Sequence, residues 1–218
     1  MPTPVSDAEF RREVHQKLED WVIKLQIKNS LLEEKIRKLI EPVLNLYGRM
    51  DSYDIIILNN KTPFVRLDAG VVLILTTGLF SEAQNDDEIL GYIAHEIGHE
   101  YFTDYTIFTK HLFELVKSNG RERALSQRFA DVLAILELEC DAFAAITLSY
   151  LGYDSLAFIE GIERTAKKYK TVSDNLHPPA EMRRKVVTGV LADIKQSSAQ
   201  RRISPIFKDI KQIIARQP

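Results

Sequence analysis

The sequence predicts an α+β fold, mainly helical, with one small sheet of about three strands packed beside the helix that carries His95 and His99. Three observations predict it. Runs rich in β-branched and aromatic residues are confined to one stretch, residues 52–76. Elsewhere, apolar residues recur at steps of three and four, the helical period. At 218 residues and 45% hydrophobic composition, the chain can bury one core of useful size. A single compact body is therefore expected, with residues 1–50 as an N-terminal helical segment, 51–196 as the main domain and 197–218 as a C-terminal helical extension.

From residue 7 to about 47, Phe10, Val14, Leu18, Trp21 and Leu25, then Leu32, Ile36, Leu39, Ile40 and Val43, form one apolar stripe. The stripe predicts a helix that Pro42 kinks or divides, and its mixed-charge polar face points to core packing rather than to a membrane or partner surface. Residues 52–58, 64–67 and 71–76 read as strands, with turns at 59–63 and 68–70. Asn85-Asp86-Asp87-Glu88 supplies an N-cap and first-turn acids that complement a positive helix end. Ile89, Leu90, Ile93 and Ile97 follow at helical spacing, so a helix begins near Asp86. Gly98 costs that helix about 1 kcal/mol relative to Ala, which predicts a close neighbour. Helical pattern continues over 107–117 and stops at Ser118-Asn119-Gly120; one long helix over 121–151 ends at Gly152. Further helices follow from Asp154 or Ser155 to about Tyr169, over 179–195 and over 205–215.

A net charge of −2 and a pI near 6.2 argue against a nucleic-acid partner. The charge is uneven. No Lys or Arg lies between Arg66 and Lys110 while acids accumulate there, as a cation site would explain. Beyond His177 the sign reverses, giving a basic tail read as a solvated helical face, with contact to a protein or an anionic surface as the alternative. Cys140 is the only cysteine, so no internal disulfide can form. No apolar run approaches the roughly 20 residues of a transmembrane helix, and the N-terminus lacks the pattern of a secretory signal. As written the chain is expected to be cytoplasmic, or exported or membrane-tethered if it is a piece of a longer one.

The segment with most chemistry is His95-Glu96-Ile97-Gly98-His99. On a helix its two imidazoles share one face at the bite of a single zinc ion, and Glu96 projects beside them toward a water that the metal would activate. That pattern points to peptide-bond hydrolysis. The competing reading is two surface histidines on an ordinary helix. A hydrolytic zinc needs a third protein donor. A histidine six residues after His99 is absent, since that position is Tyr105, and Phe102 stands where a glycine would be expected. Glu137 and Asp141 offer another solution: one helical turn apart, they let Glu137 bind the metal while Asp141 hydrogen-bonds the outer nitrogen of a ligating histidine. Val132, Leu133, Ile135, Leu136, Leu138 and Phe143 surround them, and acids in such a helix need a cation to offset burial. His177 lies in a loop stiffened by Pro178 and Pro179, where it either serves chemistry or caps the next helix.

Read in order, a glycine-led strand ending in Thr77-Gly78-Leu79-Phe80, the acidic lead-in, the histidine pentapeptide, Glu137 to Ala144, Leu151-Gly152-Tyr153-Asp154 and His177-Pro178-Pro179 with Arg183 and Arg184 resemble one known group. It is the gluzincin metallopeptidases of the HtpX and CAAX-prenyl-protease type, family forty-eight. The likeness runs over about residues 64–184. It departs at Cys140, where relatives usually carry alanine, and in lacking a membrane span. The resemblance implies a zincin-like domain binding one Zn2+ per chain, with His95, His99 and Glu137 as ligands and Glu96 as general base. It implies an endopeptidase acting on peptide or unfolded protein segments. His177 would approach the active site, occupying the open metal position at rest or stabilising the tetrahedral intermediate, and Arg183 or Arg184 would anchor that loop or contact the oxyanion. A sheet edge near Gly70, Val71 and Val72 would bind an extended peptide; an ordinary core hairpin is the other reading of those residues. Two other classes remain: a self-inhibited or non-cleaving peptide-binding, chaperone-like module on the same zinc scaffold, and a zinc-free helical interaction protein.

Overall fold

A computed structural model describes residues 8–102, 122–169, 177–194 and 199–217. The expected helix over 107–117 lies outside them. The chain is mainly helical with one small mixed sheet, as its sequence predicts.

The N-terminal stripe folds as three helices, α1 (Ala8–Gln16), α2 (Asp20–Leu25) and α3 (Ser30–Leu46), with a short strand β1 (Gln26–Ile27) before α3. Of the two expectations at Pro42, a kink or a division, the division does not occur. Pro42 sits inside α3, while the breaks fall at residues 17–19 and 26–29. Sheet pairing is the reason: β1 pairs antiparallel with β2 (Asp54–Leu58), matching Gln26 with Leu58 and Ile27 with Ile57. It covers backbone groups that β2 would otherwise leave open at that edge. The expected count of three strands thus becomes four.

Strands β3 (Val65–Asp68) and β4 (Val72–Thr76) complete the order β1-β2-β4-β3, with β4 parallel to β2 and antiparallel to β3. On one face of the sheet, Ile55, Ile57, Leu73 and Leu75 join the main core with α3 and α5 (Asp86–Tyr101). On the other, Ile56, Leu58, Val72 and Ile74 are covered by Val22 with Phe10, Val14, Leu18 and Leu25. The N-terminal stripe is therefore core packing, and β4 is buried on both faces.

The strand expected to end in Thr77-Gly78-Leu79-Phe80 stops at Thr76, whose hydroxyl accepts the Leu79 amide and caps α4 (Thr77–Glu82). Asn85 caps α5 in the same way. Two helices flank α5's other sides, α6 (Glu122–Leu151) and α7 (Ser155–Tyr169), and α8 (Ala180–Asp193) packs on both of them. The last helix, α9 (Pro205–Ala215), packs on α3 and α4. Among the described residues no helix is long and apolar enough to cross a membrane.

Two glycines let the helices approach. A Cβ at Gly91 would lie 2.4 Å from Phe158 Cβ on α7, and one at Gly98 would lie 3.3 Å from Cys140 Cα on α6. The close neighbour expected at Gly98 is α6.

Candidate metal centre

Helix α5 carries His95, Glu96 and His99, and the approach at Gly98 sets it against the turn of α6 that carries Glu137 and Asp141. The Nε2 atoms of His95 and His99 are 3.1 Å apart. Glu137 places Oε2 3.3 Å from His95 Nε2 and Oε1 3.2 Å from His99 Nε2. A tetrahedral zinc with arms of about 2.0–2.2 Å holds its donors roughly 3.3–3.6 Å apart, and this donor set, at 3.1–3.3 Å, closes to within about 0.2 Å of that spacing. Among the described residues these three form the group of acids and histidines that could hold a metal ion.

Behind the cluster stands a fully buried carboxylate. Asp141 Oδ1 accepts from His95 Nδ1 at 3.0 Å and from Arg183 Nη2 at 2.6 Å, and Oδ2 accepts from Arg183 Nε at 2.7 Å. Burial alone would raise the Asp141 pKa, but the Arg183 and His95 bonds hold it below the usual value, so it is an ionised acceptor. It therefore holds the His95 ring through Nδ1–H and turns Nε2 toward the cluster. Burial disfavours the His95 cation, yet the carboxylates of Asp141 and Glu137 outweigh it and raise that pKa to about 9. Glu137 is held well below the carboxylate range: burial opposes ionisation, and both imidazoles overcome it. A group of two imidazoles and one anionic carboxylate, compact and cation-seeking, is what remains.

Glu96 is half-buried beside this cluster, with Oε2 accepting the Leu67 amide of β3 at 3.0 Å. Burial pushes its carboxyl up, while His95, His99 and the Leu67 amide pull the other way. The C-terminal turn of α5 is clamped from outside: Glu100 accepts Arg49 Nη2 at 2.6 Å and the Tyr53 hydroxyl at 2.5 Å. Arg49, Tyr53, Glu100 and Leu67 were not singled out from sequence. For the Leu67 amide no residue-type signal exists, because the donor is main chain.

Other expected residues fall differently. Gly70, Val71 and Val72 do not make a sheet edge. Gly70 sits in a turn at φ +69°, Val71 and Val72 are buried, and β4 is paired on both sides. The open edge near the site belongs to β3. Phe64 and Asp68 carbonyls accept amides from the β4 side, so the alternating backbone groups of Val65 and Leu67 face away from it. Arg184 is also displaced from the site. Its guanidinium pairs with Glu163 on α7 through contacts of 2.5 and 2.6 Å. Arg183, by contrast, is buried behind the cluster and supports Asp141 rather than an open oxyanion position. His177 is exposed and lies outside the three-residue cluster. It lines a cavity of about 370 Å3 together with Arg183, Tyr92 and Val65.

The basic tail is partly spoken for. Arg201 bonds Asp154 and Glu160, Arg202 donates to the Gly152 carbonyl and lies over the Tyr153 ring, and Lys211 donates to the carbonyls of Ser81 and Ala83.

A search of curated proteins returns no match. The family model described as Peptidase family M48 matches residues 26–166, more than half of the chain.

Proposed function

The chain belongs to peptidase family M48, and from that premise we propose that it is a zinc-dependent endopeptidase cleaving unfolded or extended protein segments. The observation that carries the reading is the convergence of His95 Nε2, His99 Nε2 and the Glu137 carboxylate at tetrahedral spacing with Glu96 alongside. In this reading His95, His99 and Glu137 hold the ion. A bound zinc supplies Lewis acidity, polarising a carbonyl and lowering the pKa of water toward neutrality.

The chain's own groups do the rest. Asp141, held by Arg183, keeps the His95 ring in the tautomer that presents Nε2. Glu96 accepts the proton released from water and delivers it to the leaving amine. The outward backbone groups at Val65 offer main-chain hydrogen bonds to an extended peptide beside Glu96. Such pairing selects chains that are not already folded. The endopeptidase assignment follows the family resemblance.

Casein digestion with and without a chelator, run beside Glu96→Gln, tests the assignment. Glu96→Gln should retain one zinc per chain and lose about 10²–10⁴-fold in turnover, the usual contribution of a general base. Parental turnover in that variant would refute the role of Glu96.

A further inference from the structure

The 370 Å3 cavity lies beside the cluster and is walled by Phe64, Val65, Leu79, Tyr92, Ile162 and Ala166. Its distance from the reacting position follows from two periodicities. Tyr92 and Glu96 are four residues apart on α5, hence on one face about 5–6 Å apart at Cβ. Val65 and Leu67 are two residues apart on one side of β3, about 6.6 Å, and the Leu67 amide bonds Glu96. Arg183, also in the wall, touches Asp141. The cavity thus begins one helical turn and two strand residues from the Glu96 carboxylate. An extended chain advances about 3.3 Å per residue, so the side chain next to the scissile bond reaches it.

Resting on the metallopeptidase reading, we propose that this cavity is the specificity pocket and receives a bulky apolar side chain, of the Phe, Leu or Met kind, from a residue flanking the scissile bond. The chemistry of the walls selects that class. Phe64, Leu79, Ile162 and Ala166 are apolar, and among the described residues no acid lines the cavity, so a Lys or Arg buried there would find no counter-charge among them. The cation in the wall is Arg183, whose Nε and Nη2 are already bonded to Asp141, so an acidic side chain gains little there. The volume lies toward the lower end of the roughly 300–1,000 Å3 typical of ligand pockets. Ile162 and Ala166, four residues apart on α7, share one face of that helix and both line the cavity.

The test is a peptide series with Phe, Leu, Trp, Ala, Lys or Asp flanking a unique cleavage site. The protein should prefer Phe and Leu over Ala, Lys and Asp by about 10–200-fold in kcat/KM. Ala166→Phe, which fills the pocket, should lower the Phe-to-Ala ratio at least tenfold, with zinc stoichiometry retained. Ile162→Ala, which deepens it, should raise the Trp-to-Phe ratio and keeps the proposal falsifiable should the first variant misfold. Calorimetric binding of the same peptides to zinc-loaded Glu96→Gln should follow the parental order. Ratios unmoved by both substitutions, or a preference for charged residues, would overturn the pocket and leave the peptidase standing. Absence of both cleavage and binding across the series would instead overturn the peptidase reading, and the pocket with it.

Discussion

Arg183→Met removes one guanidinium while roughly keeping the side chain's length and volume. Asp141, fully buried, then loses the donors at 2.7 and 2.6 Å and retains His95 Nδ1 at 3.0 Å. Removing one member of a buried pair costs about 3–5 kcal/mol, because the other charge is left uncompensated. The surviving His95 bond sets the expectation at the lower end, about 3 kcal/mol. For a chain of this size that is a Tm lower by roughly 6–12 °C. Zinc affinity should weaken about 10–100-fold, since the carboxylate that orients His95 is itself no longer held. Thermal unfolding of metal-free and zinc-loaded protein measures the first, and competition with a chromophoric chelator the second. Asp141→Asn removes the stranded charge, so the double variant should be less destabilised than the sum of the singles by about 1–3 kcal/mol. A single variant with parental Tm and parental zinc affinity would refute the argument.

Arg184→Gln should leave hydrolysis unchanged, because that side chain is paired with Glu163. The Arg184 bond holds the Glu163 pKa below 4.5, so its contribution is present above that pH and lost as pH falls through the folded value. Both partners are about a third exposed, so the pair contributes less than about 1 kcal/mol, a difference that unfolding curves should show at neutral pH and lose as pH falls below 4.5. His177→Ala should alter turnover while zinc content by atomic absorption stays parental; a lost zinc equivalent would make His177 a ligand. Gly91→Ala places a Cβ 2.4 Å from Phe158 Cβ. Overpacking of about 1–3 kcal/mol should exceed the roughly 1 kcal/mol that Ala gains over Gly in helix propensity, and a raised Tm would refute that.

Long helices such as Glu122–Leu151 and Ser155–Tyr169 were legible because apolar residues recur in them at helical spacing, and Leu136, Ala144, Ala145 and Leu148 of the first and Ala157, Phe158 and Ile159 of the second are buried. So was the set His95, His99 and Glu137, since helical geometry fixes the first pair and a third donor was required. What eluded sequence reading is decided by non-local pairing. Gln26 and Ile27 sit within a helical period, yet the edge of β2, about thirty residues downstream, draws them into strand. The order of β3 and β4 had a readable trace that the edge assignment passed over. Val72 to Leu75 is apolar without alternation, the mark of a strand covered on both faces, whereas Val65-Arg66-Leu67-Asp68 alternates as an edge strand does. Arg183 and Arg184 are adjacent and identical in type. Only the helical phase of α8 against α6 and α7 sends one to Asp141 and the other to Glu163.

The acidic excess ahead of the histidines invites a cation-site explanation, and the geometry assigns it differently. Asp86, Asp87 and Glu88 are buried, and none belongs to the metal cluster. Asp87 accepts the amides of Asp154 at 2.8 Å and Arg202 at 3.1 Å, Asp86 accepts the Ser204 amide at 3.1 Å, and Glu88 pairs with Arg164. These acids therefore tie the start of α5 to the segments after α6 and before α9 and to α7, while Glu100 ties its end to Arg49 and Tyr53. A helix fixed at both ends cannot slide along α6. Two of the three donors ride on α5 and the third on α6, and a slip of even one ångström would spoil donor spacings of 3.1–3.3 Å. The anchors at the two ends of α5 are accordingly as much a condition for the donor geometry as the Asp141 and Arg183 pair beneath it.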